Sequence, residues 1–168
     1  KSTEEREAAA DSSAYNPQSL RHLTYAQLKE MSESGVFEIG SHSFDGHGNI
    51  DVNDTETKPF FVNKKYHTIT KKEETDAAYQ ARIYHDLKTS KTLLEENIGQ
   101  TVQYFAYPYG RHNEDVVVAL QKAGFQFAVT TTHGSIQTDT DPFLLPRYNV
   151  DESMTLEEFA KLVNYEMK

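Results

Sequence analysis

Cysteine is absent from all 168 residues. That excludes disulfides, thiolate catalysis and cysteine-ligated zinc, so any metal site in this chain must use histidine and carboxylates. It leaves the compartment open, because cytosolic proteins and many bacterial secreted proteins share the trait. Tryptophan is also missing, yet ten Tyr and nine Phe remain, an aromatic content that suits a carbohydrate-binding groove. Positive charge is scarce: 17 Lys and Arg face 26 Asp and Glu, a formal net charge of -9 with no basic stretch. Nucleic acid and anionic membrane surfaces are therefore not expected as partners. No apolar run reaches membrane-spanning length, and no signal peptide opens the chain. Mean hydropathy is -0.70, within globular range, and the length suits one domain with a real core.

Residues 1–22 are polar, acidic and rich in Ala and Ser. They read as an N-terminal arm or loop, with a helical turn at most around residues 4–10. Organisation begins at Thr24, where Thr24 and Gln27 form a capping-box pattern, Tyr25, Leu28 and Met31 follow at helical spacing, and Gly35 is a stop. Residues 36–40 read as a short strand with Phe37 and Ile39 inward. Residues 46–69 show no clear period and read as a long loop with a hairpin near residues 60–62. Thr70 and Glu73 form a second box that is expected to open the longest helix, with Ile83, Leu87, Leu94 and Ile98 on its buried face and Gly99 at its end. A strand over 102–106 leads into Tyr107-Pro108-Tyr109-Gly110. Asn113 caps a helix that Gly124 stops, and strands follow at 125–130 and 144–150. A last helix starts at Thr155, with Phe159, Leu162 and Val163 inward. Strands separated by helices imply an α/β architecture with parallel pairing, a layer or a barrel.

Functional residues of α/β barrels sit in loops after the C-terminal ends of strands. His42 and His47 occupy the first such loop, in Ser41-His42-Ser43-Phe44-Asp45-Gly46-His47. The pair is open to two readings. Two imidazoles converging from a strand end and a short loop can bind a divalent metal, completed by a carboxylate; equally, they can be polar residues of an ordinary loop. Asp45 is either a partner for an imidazole N–H or a turn residue. Tyr107-Pro108-Tyr109-Gly110 either presents a backbone N–H to a bound carbonyl or is simply a strand-to-helix turn. Arg147, after Pro146, either orients a carboxylate or lies on the surface.

Taken together, EIGSHSFDGHG, a long helix, FAYPYGRHN, AGFQFAVTTTHG and DPFLLPRYNV resemble the polysaccharide deacetylases of the NodB-homology type, carbohydrate esterase family 4. The His-Ser/Thr-x-x-x-His spacing is that of the branch acting on bacterial poly-N-acetylglucosamine. The resemblance spans most of residues 20–165 and implies a distorted (β/α) barrel. By residue, it makes His42 and His47 two of three ligands of a divalent metal, zinc foremost, with cobalt, nickel or iron as alternatives. Tyr109 would supply its backbone N–H to the oxyanion, and Tyr107, Pro108 and Tyr109 would line the substrate. Arg147 would orient a carboxylate. The activity implied is hydrolysis of acetamide groups on an N-acetylglucosamine polymer, whether exopolysaccharide, peptidoglycan or chitin oligomer, outside or on the surface of a bacterial cell.

The chain departs from the family pattern in its acidic motif. The Thr-Phe-Asp-Asp-Gly type stretch that precedes the His motif, and supplies the base and third ligand, has no counterpart, since no Asp-Asp pair occurs in the sequence. The general-acid His and the Arg of the third motif also lack matches. The expectation is a C-terminal portion of a deacetylase, truncated at its N-terminus, with residues 23–168 forming the deacetylase part. It should be monomeric or paired with the missing segment, and inactive or nearly so alone. A noncatalytic carbohydrate-binding protein is the alternative. A third reading is an unrelated metallohydrolase that takes its carboxylate from Asp51, Asp139 or Asp141.

Overall fold

Three of the four expected helix caps, at Thr24, Asn113 and Thr155, are realised in the structure, a computed structural model that describes residues 23–164. The arm expected over residues 1–22 lies outside those residues. Helix α1, Tyr25–Glu33, begins with the complete capping box, in which Thr24 accepts from the Gln27 N–H and the Gln27 side chain accepts from the Thr24 N–H. Helix α2, Asp76–Ile98, is the longest at 23 residues. Helix α3, Glu114–Ala123, is capped by Asn113 and stopped by Gly124 in the left-handed conformation, the usual glycine stop. Helix α4, Leu156–Val163, opens with the Thr155–Glu158 box.

Chain contacts divide the molecule into two units, residues 23–39 with Thr92–Thr101, and Gly40–Lys91 with the chain from Val102 onward. In the first, the Ser32 hydroxyl donates to the Gln100 side-chain carbonyl at 2.6 Å. The second unit holds every expected site residue and the parallel strands. Strand β5, Tyr104–Ala106, pairs in parallel with β6, Phe127–Val129. Single parallel bridges extend this sheet at either edge, Ser41 to Phe105 and Leu145 to Val129. Phe105 is fully buried and is the hub of the core, edge-on to Phe61, Tyr107 and Phe125 at 5.8, 5.7 and 5.6 Å. Ile83 and Leu87 of α2 and Val116 and Leu120 of α3 are likewise fully buried. Among the described residues the parallel segments do not close into a ring, and no helix is long and apolar enough to cross a membrane.

Several expectations are corrected. Residues 36–40 form no named strand, and Phe37 is 52% exposed. Ser41 has the backbone pairing of a ladder, from its N–H to Tyr104 O and to its carbonyl from the Ala106 N–H. The loop expected over 46–69 contains the antiparallel pair β1, Asn49–Asp51, with β2, Thr57–Pro59. Phe60–Val62 is a 3-10 turn rather than a hairpin. Thr70 to Glu73 does not start α2. Those residues belong to the hairpin of β3, Tyr66–His67, and β4, Lys72–Glu73, where Lys71 at φ 55° cannot enter a helix. Thr75 starts α2 instead, its hydroxyl accepting from the Ala78 N–H at 3.2 Å. The strand expected over 144–150 is reduced to the Leu145 bridge. On α4 only Leu162 is buried, while Phe159 and Val163 are 40% and 58% exposed.

Candidate functional site

Because the parallel segments run in one direction, the residues that follow them emerge at one end of the sheet, where the strands' C-termini lie. His42 follows the Ser41 bridge, Tyr107 to Gly110 follow β5, and Arg147 lies two residues beyond the Leu145 bridge. The sheet thus places the separately recognised segments together.

His42 is held from the sheet. Its Nδ1 lies 2.7 Å from the carbonyl oxygen of Ala106 on β5. A carbonyl only accepts, so Nδ1 carries the proton and the Nε2 lone pair points elsewhere. Metal-binding histidines are commonly fixed this way, by a carbonyl on the second nitrogen. Burial lowers the His42 pKa; the Ala106 carbonyl opposes that, and the charges of His47 and Arg147 lower it further. Neutral imidazole, the form that can donate a lone pair, is therefore favoured. The His47 ring centroid lies 4.8 Å from that of His42, tilted by 54°.

Tyr109 clamps His47 from the other side. Its ring is 4.7 Å from the imidazole, and its hydroxyl donates to the carbonyl of His47 itself at 2.8 Å. The turn that carries it is unusual. Tyr109 has φ 57° and ψ 15° inside a 3-10 turn spanning Pro108–Gly110, a left-handed conformation that costs a non-glycine residue. Among the described residues the Tyr109 N–H has no backbone acceptor. Tyr107 and Pro108 lie beneath it. Tyr107 is 2% exposed and its hydroxyl donates to Phe143 O at 2.9 Å, and burial pushes that phenol well above its usual pKa. Pro108 is buried as well. Only Tyr109 of the three is exposed, at 54%. Arg147 is anchored by its backbone N–H to Thr132 O at 2.8 Å, and its charge reaches His42.

Among the described residues, no group of three His, Asp or Glu side chains comes together to hold a metal. Asp51, Asp139 and Asp141 therefore do not complete the histidine pair. Asp51 lies in β1, and Asp141 caps the Phe143 N–H at 2.8 Å. What the donor set fits is two sites of a divalent ion that accepts imidazole, a description that suits zinc, cobalt, nickel or iron.

The residue that sequence reasoning missed is Asp86. It lies on α2 between fully buried Ile83 and Leu87 and is itself only 3% exposed. Its two carboxylate oxygens accept the N–H groups of Phe44 at 3.0 Å and Asp45 at 2.7 Å. Burial raises the Asp86 pKa, the Asp45 and Phe44 N–H groups pull it back, the Asp45 charge adds to the rise and the Gly46 N–H opposes it. A carboxylate on the buried stripe of a helix was the available signal, because such a group needs partners.

Comparison with known proteins identifies the family. The profile of the polysaccharide deacetylase family matches residues 13–128. The chain is 29% identical over 144 residues to the poly-beta-1,6-N-acetyl-D-glucosamine N-deacetylase of Escherichia coli K12, covering 83% of this chain and 21% of that protein. It is 29% identical over 132 residues to the enzyme of that name from Staphylococcus epidermidis, covering 79% of this chain and 39% of that one. The structure also superposes on the BpsB deacetylase domain of Bordetella bronchiseptica with a TM-score of 0.72 at 32% identity, over 74% of this chain and 48% of that domain. The chain thus spans less than half the length of these relatives.

Proposed function

The chain belongs to the polysaccharide deacetylase family, and we propose on that premise that it is part of an enzyme that hydrolyses the acetamide groups of an N-acetylglucosamine polymer. The products are acetate and a free amine on the sugar. The observation that carries the reading is the histidine pair with the Nδ1 of His42 committed to Ala106.

His42 and His47 would hold a divalent ion, zinc foremost. When bound, such an ion acidifies water and polarises an amide carbonyl. The Tyr109 N–H serves the developing oxyanion, presented by the left-handed turn that Tyr107 and Pro108 shape from beneath. The exposed Tyr109 ring contacts the sugar. Arg147 orients the carboxylate that acts as base. The base, the third ligand and the general acid come from outside residues 23–164, which form a portion of a distorted (β/α) barrel. The isolated chain is consequently inactive or nearly so, and monomeric unless paired with that complementary segment. Its substrate places the protein outside the cell or on its surface.

Titration calorimetry with Zn(II) and acetate release from β-1,6-, β-1,4- and peptidoglycan-derived N-acetylglucosamine oligomers test this. The chain alone should bind Zn(II) weakly and release no acetate. A longer polypeptide carrying an Asp-Asp motif should release acetate, and should lose that activity with His42→Ala or His47→Ala. Activity that survives both substitutions would sink the assignment. The lack of a third ligand among the described residues favours one other reading, a noncatalytic glycan-binding protein. In that case the longer polypeptide binds oligomers and releases no acetate with Zn(II) or Co(II).

A further inference from the structure

We propose that Asp86 is a positioning residue whose buried carboxylate sets the spacing of His42 and His47; this rests on the metal-site reading above. The five-residue step between the histidines contains Phe44 and Asp45, and these two consecutive N–H groups converge on Asp86, one on each carboxylate oxygen. A buried carboxylate that accepts several N–H bonds fixes the backbone donating them, because each bond is charge-assisted and oriented. Asp86 therefore dictates the path of the chain from one imidazole to the other, although it touches neither ring.

Its place on α2 strengthens the assignment. One helical turn further along, Ser90 accepts from the Ser41 hydroxyl at 2.9 Å and donates to the Leu87 carbonyl at 2.8 Å. Ser41 is the residue immediately before His42. Towards the start of the same helix, the Tyr79 hydroxyl donates to Phe61 O at 2.6 Å, and Arg82 donates to Phe60 O and Asn63 O at 3.0 and 2.9 Å. The rings of Phe60 and Phe61 lie against Gly46, where an added Cβ would approach them to 3.0 and 2.6 Å. Spaced three to four residues apart, Tyr79, Arg82, Asp86 and Ser90 form a polar stripe on one face of the helix. That stripe grips the histidine loop before His42, between the two histidines, and from beneath Gly46.

Asp86→Asn tests the proposal with little change in volume. Asparagine keeps one acceptor and turns an N–H₂ donor toward the loop N–H groups. In the metal-free chain, NMR should show shifted amides at residues 44–46 and altered ring signals for both His42 and His47. Co(II) or Zn(II) affinity should fall about 10- to 100-fold, the usual effect of removing a partner behind the ligands, with a changed Co(II) visible spectrum. Ile83→Val, a buried change on the same helix, should leave ring signals, spectrum and affinity as in the wild type. Unmoved imidazole signals in Asp86→Asn, or equal effects of both substitutions, overturn the proposal. If Asp86→Asn does not fold, hydrogen exchange in the unsubstituted chain decides. The proposal requires slow exchange at the amides of Phe44 and Asp45, and exchange at the rate of free loop amides overturns it. A wild-type chain that binds neither metal counts against the metal-site reading alone, since the apo NMR and exchange measurements still decide the role of Asp86.

Discussion

Gly46→Ala isolates the packing beneath the histidine loop. The added Cβ would lie 2.6 and 2.7 Å from Phe61 ring carbons and 3.0 Å from Phe60, well inside van der Waals contact. Neither ring can easily retreat. Phe61 is 2% exposed and packs edge-on against Phe60 at 5.1 Å and Phe105 at 5.8 Å, and its carbonyl is held by Tyr79. The Phe60 ring carries the Arg82 guanidinium 4.3 Å from its centroid. Gly46 is not among the glycines with positive φ, so the cost is steric rather than conformational. Overpacking of this kind costs about 1–3 kcal/mol, or a fall in Tm of very roughly 2–4 °C per kcal/mol for a chain of this size. Because the clash lies one residue before His47, metal affinity should fall together with stability. Urea denaturation and Zn(II) titration measure the two, and Phe61→Leu in the Gly46→Ala background should recover part of both. A loss below about 0.5 kcal/mol, the usual range of a neutral surface change, would refute the close packing of loop and aromatic pair.

Two further perturbations probe other parts of the second unit. Glu74 is buried beside Arg82, with side-chain exposures of 6% and 17%, and accepts from Arg82 Nε at 3.1 and 3.2 Å and from Arg82 Nη2. Burial pushes the Glu74 pKa up, but the Arg82 bonds, the Lys65 N–H and the Arg82 charge together hold it below its ordinary 4.5. A depressed carboxyl stabilises the fold above its unfolded pKa and loses that contribution as pH falls through the folded one. Glu74→Gln should therefore cost about 3–5 kcal/mol at pH 7, as removal of one partner of a buried pair does. The gap to wild type should narrow below pH 4.5, read by denaturation at several pH values; a gap that is constant with pH would refute the coupling. Gly110→Ala combines two penalties, a φ of 67° and a Cβ placed 2.1 Å from Thr131 Oγ1. The left-handed backbone alone costs about 1–2 kcal/mol, so Thr131→Ala in that background should restore only part of the denaturation midpoint, and full restoration would contradict the backbone assignment.

What was legible in the sequence was local. The Thr24, Asn113 and Thr155 caps and the Gly124 stop depend on residues within one turn, and each appears where the pattern put it. The same pattern misled at Thr70, because a cap signature cannot register a strand pairing between Tyr66 and Glu73. Alternation misled at residues 36–40, where no strand forms and Phe37 is exposed, and the parallel bridge falls at Ser41 instead. The histidine pair, the Tyr109 turn and Arg147 were visible as motifs, and the parallel sheet explains why they share its C-terminal end. Asp86 was not, because its partners lie 41 and 42 residues earlier in the chain. A periodicity reading notices Ile83 and Leu87 and passes over the carboxylate between them.

The two imidazoles of the histidine loop are held by two separate constraints. The Ala106 carbonyl selects the tautomer of His42 and so leaves Nε2 as its donor. Tyr109 holds His47 through both its ring and its hydroxyl. Neither constraint uses a charge, which matters because two imidazoles 4.8 Å apart repel each other if both are protonated. Burial lowers the His42 pKa, the Ala106 carbonyl opposes this and the charges of His47 and Arg147 lower it further, so a proton competes less well for the Nε2 lone pair. A loop left to its own entropy would lose affinity in ordering both rings on binding. Here that ordering is built into β5 and the Tyr109 turn, so under the proposed function a further ligand would meet a pair already in place.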